Sequence, residues 1–147
     1  MNLPKVLIVH RDAGVASTSK ELLEKYGYQK DTVFTTDDPV EALKILKQEN
    51  VALVLCGSAF PMYRKTEVIS AIDSHAKRDQ FVLIAFTGGG ERLKSIEAGA
   101  DYFLAQPVGI KDLKSAVIKA CNSQRDYHTK LAQRFTAVSV PVKDIKS

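Results

Sequence analysis

Five short apolar runs punctuate the chain, and most are followed by a segment whose apolar positions recur every three or four residues. The runs are Lys5 to Val9, Thr32 to Thr36, Val51 to Cys56, Phe81 to Phe86 and Tyr102 to Ala105. A short run that is apolar at nearly every position reads as a strand buried on both faces, the pattern of a parallel sheet. Between them, helices are predicted from about Gly14 to Tyr26, from Asp38 onward, from about Lys65 to Ala76 and from Glu91 to Ala98, with a last one beginning near Ile110. Val15, Leu22, Leu23 and Tyr26 share one face of the first helix, and Gly27 ends it in the way helix-terminating glycines do. The second opens with Asp38 as N-cap, Pro39 at the first position and Glu41 closing a capping box, and its apolar face is Ala42, Leu43, Ile45 and Leu46. Val68, Ile69 and Ile72 mark the third, and Gly99 terminates the fourth. Strands alternating with helices in this rhythm imply a doubly wound α/β domain with a parallel sheet and right-handed crossovers.

The run Val51 to Cys56 organises this pattern. It stops abruptly in Gly57-Ser58-Ala59-Phe60-Pro61, delivering its carboxyl end into a loop. In open α/β sheets the space beyond the strand carboxyl ends is where ligands and chemistry sit. The residues at or just past the strand ends include His10-Arg11-Asp12, Gly57, Thr87 and Gln106-Pro107.

The last helix has no evident stop at Asn122. Leu113, Val117, Ala120, Gln124, Tyr127 and Leu131 alternate spacings of four and three, a heptad-like seam. One long helix to about Phe135 could pair with a second copy through Val117, Gln124, Tyr127 and Leu131; the other arrangement is a separate helix folded back on its own domain. The division expected is a domain over residues 1–123 and a basic extension over 124–147, in which Val138 to Val142 forms a linker or edge strand. Charge supports that division. The net charge is +4, and residues 124–147 carry five basic against two acidic side chains, leaving +1 for the body. A basic tail invites a nucleic-acid reading, but without a helix-turn-helix motif or aromatic-basic interleaving nucleic acid is not an expected partner. At 45% hydrophobic and 26% charged, the composition is that of an ordinary globular domain, which excludes a disordered chain. No apolar run has the length of a membrane span, and Val6 to Val9 lacks the features of a signal peptide. Cys56 and Cys121 form neither a disulfide framework nor a metal-ligand spacing, so a reduced, cytoplasmic setting is expected.

With the elements placed, the sequence resembles the receiver domain of two-component response regulators over about residues 4–123. The resemblance rests on Val6-Leu7-Ile8-Val9, on Pro39 to Leu46, and on Ala52 to Gly57 with Pro61 four residues on. It extends to Thr87 after the fourth run, Gly99-Ala100-Asp101-Tyr102 before the fifth, and Pro107 after it. It implies a flavodoxin-like five-stranded parallel sheet of order 2-1-3-4-5. It also implies site roles that these residues do not fill. The acidic pair that follows the family's first strand falls on His10 and Arg11, the phosphoaccepting aspartate on Gly57, and the lysine before the strand-five proline on Gln106. Thr87 keeps the hydroxyl type, and the aromatic switch position falls on Phe103.

Phosphoryl transfer to a receiver needs a carboxylate nucleophile and a divalent cation held by hard oxygen ligands. His10, Arg11 and Gly57 offer no carboxylate. Asp12 is one residue past the acidic pair, but it is also the expected N-cap of the first helix. Strand alternation turns Cys56 and Ser58 away from the side that Gly57 faces, and His10 is expected to be a packed, hydrogen-bonded histidine. The resulting expectation is a pseudo-receiver: not an enzyme, with no metal and no cofactor, acting as a phosphorylation-independent interaction module. By resemblance, the partner-binding face would include Glu91, Arg92, Lys94, Ser95, Phe103, Lys111 and Lys114, whose cationic excess suits an acidic protein surface. A homodimer through the last helix is the companion expectation, with no membrane contact. A different class of function is a small-anion or nucleotide sensor, with Arg11, Thr87, the Gly88-Gly89-Gly90 amides and Gln106 around a remodelled strand-end cleft.

Overall fold

The computed structural model describes residues 5–25, 27–57, 60–64, 66–87, 92–105 and 115. The strands are β1 (Lys5–Val9), β2 (Val33–Thr36), β3 (Val51–Cys56), β4 (Val82–Thr87) and β5 (Tyr102–Ala105). The helices are α1 (Ala13–Lys25), α2 (Pro39–Gln48), α3 (Glu67–Asp73) and α4 (Arg92–Glu97), with short 3-10 turns before β2 and β4. All strand pairs are parallel and the sheet order is β2-β1-β3-β4-β5, as expected from the sequence. The last helix and the tail from 124 lie outside the described residues.

The sheet separates two apolar layers because side chains alternate along each strand. Leu7, Val9, Val54, Cys56, Leu83 and Ala85 face α2 and α3, meeting Ala42, Leu46, Val68, Ile69 and Ile72. Val6, Ile8, Leu53, Leu55 and Ile84 face α1, meeting Ala16 and Leu23. One irregularity matters for register. β3 carries an extra residue, Ala52, between the pairs Lys5–Val51 and Val6–Leu53. Val51 and Leu53, two residues apart, therefore enter opposite layers, the expected effect of a one-residue slip.

Helix α1 docks through Ala16, Ser19 and Leu23; of the face that spacing suggested, Leu23 is buried and Leu22 packs at the edge of the core, while Tyr26 lies outside the described residues. Val15 and Leu22 are half-buried at its margin, and the small residues Ala16 and Ser19 let the helix approach the sheet closely. Asp38 caps α2 by accepting from Val40 N–H at 2.9 Å. The return bond expected from Glu41 is replaced, since the Asp38 N–H donates to Thr36 Oγ1 at 3.1 Å.

Both helix-ending glycines take positive φ, 102° at Gly27 and 122° at Gly99. Each closes a double bond pattern. Tyr28 N–H reaches Leu23 O and Gly27 N–H reaches Glu24 O; Ala100 N–H reaches Ser95 O and Gly99 N–H reaches Ile96 O. Gly99 is constrained a second time, because a Cβ there would collide with the Asp73 carboxylate. That carboxylate is held in place by Arg78 Nε at 2.9 Å. Arg78 also donates to the carbonyls of Phe81 and Gly99 and to Asp101 Oδ2, each at 2.9 Å, and lies over the Phe81 ring at 5.2 Å. Asp101 completes the cluster by exchanging bonds with the Leu83 backbone, at 2.8 and 2.7 Å. One side chain thus ties the end of α3, the entry to β4, the end of α4 and the entry to β5.

Gly99→Ala combines forbidden φ with collision against an anchored carboxylate. It is expected to cost about 2–4 kcal/mol, read as a lower urea midpoint at unchanged m-value; a loss below about 0.5 kcal/mol would contradict this account. Cys56 is fully buried, and burial pushes its thiol far above the usual range, so the thiolate that reacts is absent near neutral pH. Peptide-mapped alkylation of the native protein at pH 7–8 should leave Cys56 unlabelled and label it fully in denaturant.

Candidate functional site

At the carboxyl edge of the sheet the ladder continues past the strand ends. His10 N–H donates to Thr36 O at 3.0 Å, and Gly57 N–H donates to Val9 O at 2.8 Å. Positions 10 and 57 therefore sit side by side, each continuing the α1-facing alternation of Ile8 and Leu55. Their approach is close: a Cβ on Gly57 would lie 2.7 Å from His10 Cδ2, 3.1 Å from Nε2 and 3.2 Å from Cγ. The imidazole is held from two further directions. Nδ1 accepts the Asp12 backbone N–H at 3.0 Å, a bond that needs a lone pair on Nδ1 and so places the ring proton on Nε2. The ring also meets Phe86 edge-on, with centroids 5.9 Å apart and planes at 81°. Only 7% of His10 is exposed.

The neighbouring residues are placed differently. Arg11 is exposed to solvent. Asp12 Oδ1 accepts from Gly14 N–H at 2.9 Å and Val15 N–H at 3.3 Å, while its carbonyl accepts from Ala16 N–H. Its carboxylate therefore caps α1, satisfying donors that the first helical turn leaves open. Cys56 faces the opposite layer. Thr87 ends β4, in register with Ala105 of β5. Gln106, Ser58 and Gly88 to Gly90 lie outside the described residues. Among the described residues no three His, Cys, Asp or Glu side chains converge as a metal-holding group. The functional groups presented by the ends of β1 and β3 are thus an imidazole, a guanidinium and a glycine backbone.

Beyond Gly57 the chain turns at Phe60 to Tyr63, closed by Tyr63 N–H to Phe60 O at 3.1 Å. Phe60 is buried in the core, whereas Met62 is fully exposed and holds a φ of 68°. That conformation favours Gly or Asn, and a residue with a longer side chain tolerates it at modest cost. An open groove of ≈ 600 Å³ runs between α3 and α4, lined by Arg64, Glu67, Ser70, Lys94 and Glu97 among others. Its charges are mixed.

Of the residues expected on a partner-binding face, Arg92 and Lys94 are exposed on α4. Phe103 is half-buried and packs against the α2 and α3 layer. Ser95, expected on that surface, is instead wholly buried, and its Oγ has no hydrogen-bond partner among the described residues. The helix turns this small residue to the sheet and sends its aliphatic ones outward, with Leu93 70% and Ile96 41% exposed. Sequence reasoning passed over Leu93 and Ile96. Their signal was present, as an apolar pair three apart on a helix with only a serine at the position that faces the sheet. Lys111 and Lys114 lie outside the described residues, as do Val117, Gln124, Tyr127 and Leu131.

Comparisons with known proteins agree with this architecture. A family model described as the response regulator receiver domain matches residues 6–118. Two curated relatives, each described as a probable transcriptional regulator ycf27, come from Porphyridium aerugineum and Guillardia theta. They are 25% identical over 80% of this chain and 27% identical over 77% of it. The chain spans less than half the length of these relatives, 48% and 43%. Among solved structures, a response regulator receiver domain protein from Methanospirillum hungatei superposes with a TM-score of 0.73 at 26% identity, covering 85% of this chain and 98% of that one. The chemotaxis response regulator CheY4 of Vibrio cholerae superposes with a TM-score of 0.70 at 18% identity, covering 81% and 99%. With the sheet order β2-β1-β3-β4-β5 and a family match across most of its length, this chain belongs to the response regulator receiver domain family, a signalling module of two-component-type systems.

Proposed function

We propose that the chain is a pseudo-receiver, a signalling module whose output does not depend on aspartyl phosphorylation and which acts by binding protein partners. The observation that carries this reading is the set of groups at the ends of β1 and β3. A phosphoryl acceptor of this family's type needs a carboxylate, and magnesium needs hard oxygen ligands, commonly carboxylates with water. The strand ends hold His10, Arg11 and Gly57, and Asp12 is engaged as a helix cap. A permanent guanidinium charge beside that position works against a cation. Gln106, at the place of the family's lysine, leaves an acyl phosphate without its counter-ion.

Partner binding is supported by the outward face of α4. Leu93 and Ile96 offer apolar contact between the cations Arg92 and Lys94, a combination that suits a partner with an apolar centre and acidic margins. In sequence, Lys111 and Lys114 extend the cationic character. The heptad-like residues Val117, Gln124, Tyr127 and Leu131 supply a route to a homodimer. In the relatives named as transcriptional regulators the matched part is less than half of the protein, which fits a module that hands its state on to something else. The described helices contain none long and apolar enough to cross a membrane, and the cytoplasm is the proposed setting.

Incubation with a small phosphodonor and magnesium should leave the intact mass unchanged. A stable single-phosphoryl adduct would overturn phosphorylation independence. For the dimer, sedimentation of the full chain should show concentration-dependent association that Tyr127→Lys with Leu131→Lys abolishes. Equal monomeric behaviour of both proteins would remove the helix from the proposal.

A further inference from the structure

We infer that the strand-end pocket is closed from within, with the His10 imidazole standing in the space that any side chain at position 57 would occupy. The geometry is specific. A Cβ at 57 would sit 2.7 Å from His10 Cδ2, closer than real Cβ contacts come, with two more ring atoms at 3.1 and 3.2 Å. A clash with the far end of a flexible side chain is relieved cheaply by rotation. This ring is not of that kind. Its Nδ1 is tied to the Asp12 N–H, it packs nearly perpendicular to the Phe86 ring, and it is buried. Swinging it away would break a hydrogen bond at the start of α1 and open a void beside Phe86. Interiors pack at crystal-like density, so neither change is free.

His10 and Gly57 thus form a matched pair, a large ring against a bare backbone. While the ring stands at position 10, position 57 does not tolerate a side chain. The pocket is occupied as well as unequipped. A carboxylate returned to position 57 by itself meets the ring before it can meet a phosphodonor, so recovering an acceptor needs a second change at position 10. The same packing ties the ends of β1, β3 and β4 to one another among the described residues. The inference rests on the pseudo-receiver reading only in taking position 57 as the acceptor's place; its test reads packing and would hold or fail whatever phosphorylation does.

The test is a double-mutant cycle on the full chain. Gly57→Ala should lower the melting temperature by roughly 5–10 °C in the presence of His10. In the His10→Ala background the same substitution should cost less than about 2 °C or raise it, because the methyl then enters vacated space. Equal losses in both backgrounds would overturn the inference. If Gly57→Ala fails to fold while the double variant folds, the coupling is shown in its strongest form. The unsubstituted protein gives an independent readout: a nuclear Overhauser contact between His10 Hδ2 and a Gly57 Hα is expected, and its absence would overturn the assignment.

Discussion

The pairing of β3 between β1 and β4 is the constraint on which the remaining structure depends. A central parallel strand is covered on both faces, so its backbone donors and acceptors have only neighbouring strands to bond. That requirement fixes register. Register fixes which side chains enter which layer, and any slip must be absorbed locally, as Ala52 absorbs it. It also fixes the strand ends, because the ladder runs on through Gly57 N–H to Val9 O and His10 N–H to Thr36 O. The closeness of His10 to Gly57 is therefore a consequence of backbone pairing, not of attraction between the two residues.

The opposite edge of the sheet is governed by a different interaction. Arg78 reaches two carboxylates and two carbonyls. Its carboxylate partners are 42% exposed, and ion pairs of that exposure contribute roughly 0–1 kcal/mol each. The larger effect lies in giving the carbonyls of Phe81 and Gly99 a donor, and in holding four chain segments in one geometry. A planar guanidinium with donors in fixed directions can do this where a lysine ammonium cannot. The amino edge is thus pinned by directional polar contacts, and the carboxyl edge by packing around an imidazole.

Much of the fold was legible in the sequence because its signals are local. Apolar runs, an Asp-Pro helix start and glycines after helices depend on neighbours in the chain, and they placed β1 to β5 and both positive-φ glycines. The role of Asp12 as a cap was legible for the same reason. What escaped was set by contacts distant in sequence. Arg78 is one of 21 Lys and Arg residues, and nothing near it announces partners at 99 and 101. On α1 the sequence marked Leu23 but passed over Ala16 and Ser19, because hydrophobicity favours large residues whereas close approach to a sheet favours small ones. The outward turn of Leu93 and Ile96 reversed a rule that usually sends aliphatic residues inward. At the candidate site, residue identities told which side chains stand at the strand ends, but not that His10 lies against Gly57; that follows only once β1 and β3 lie in register.

The closeness of positions 10 and 57 also imposes an order in time on any sequence path that links an acidic strand-end pocket to this one. An imidazole cannot settle at position 10 while a side chain still stands at 57, so the glycine must come first or arrive together with it. Once the ring is seated against Phe86, it shields the glycine from replacement even where nothing selects for its function. On the pseudo-receiver reading, packing alone would retain this pair of residues. The empty position is kept empty by its neighbour.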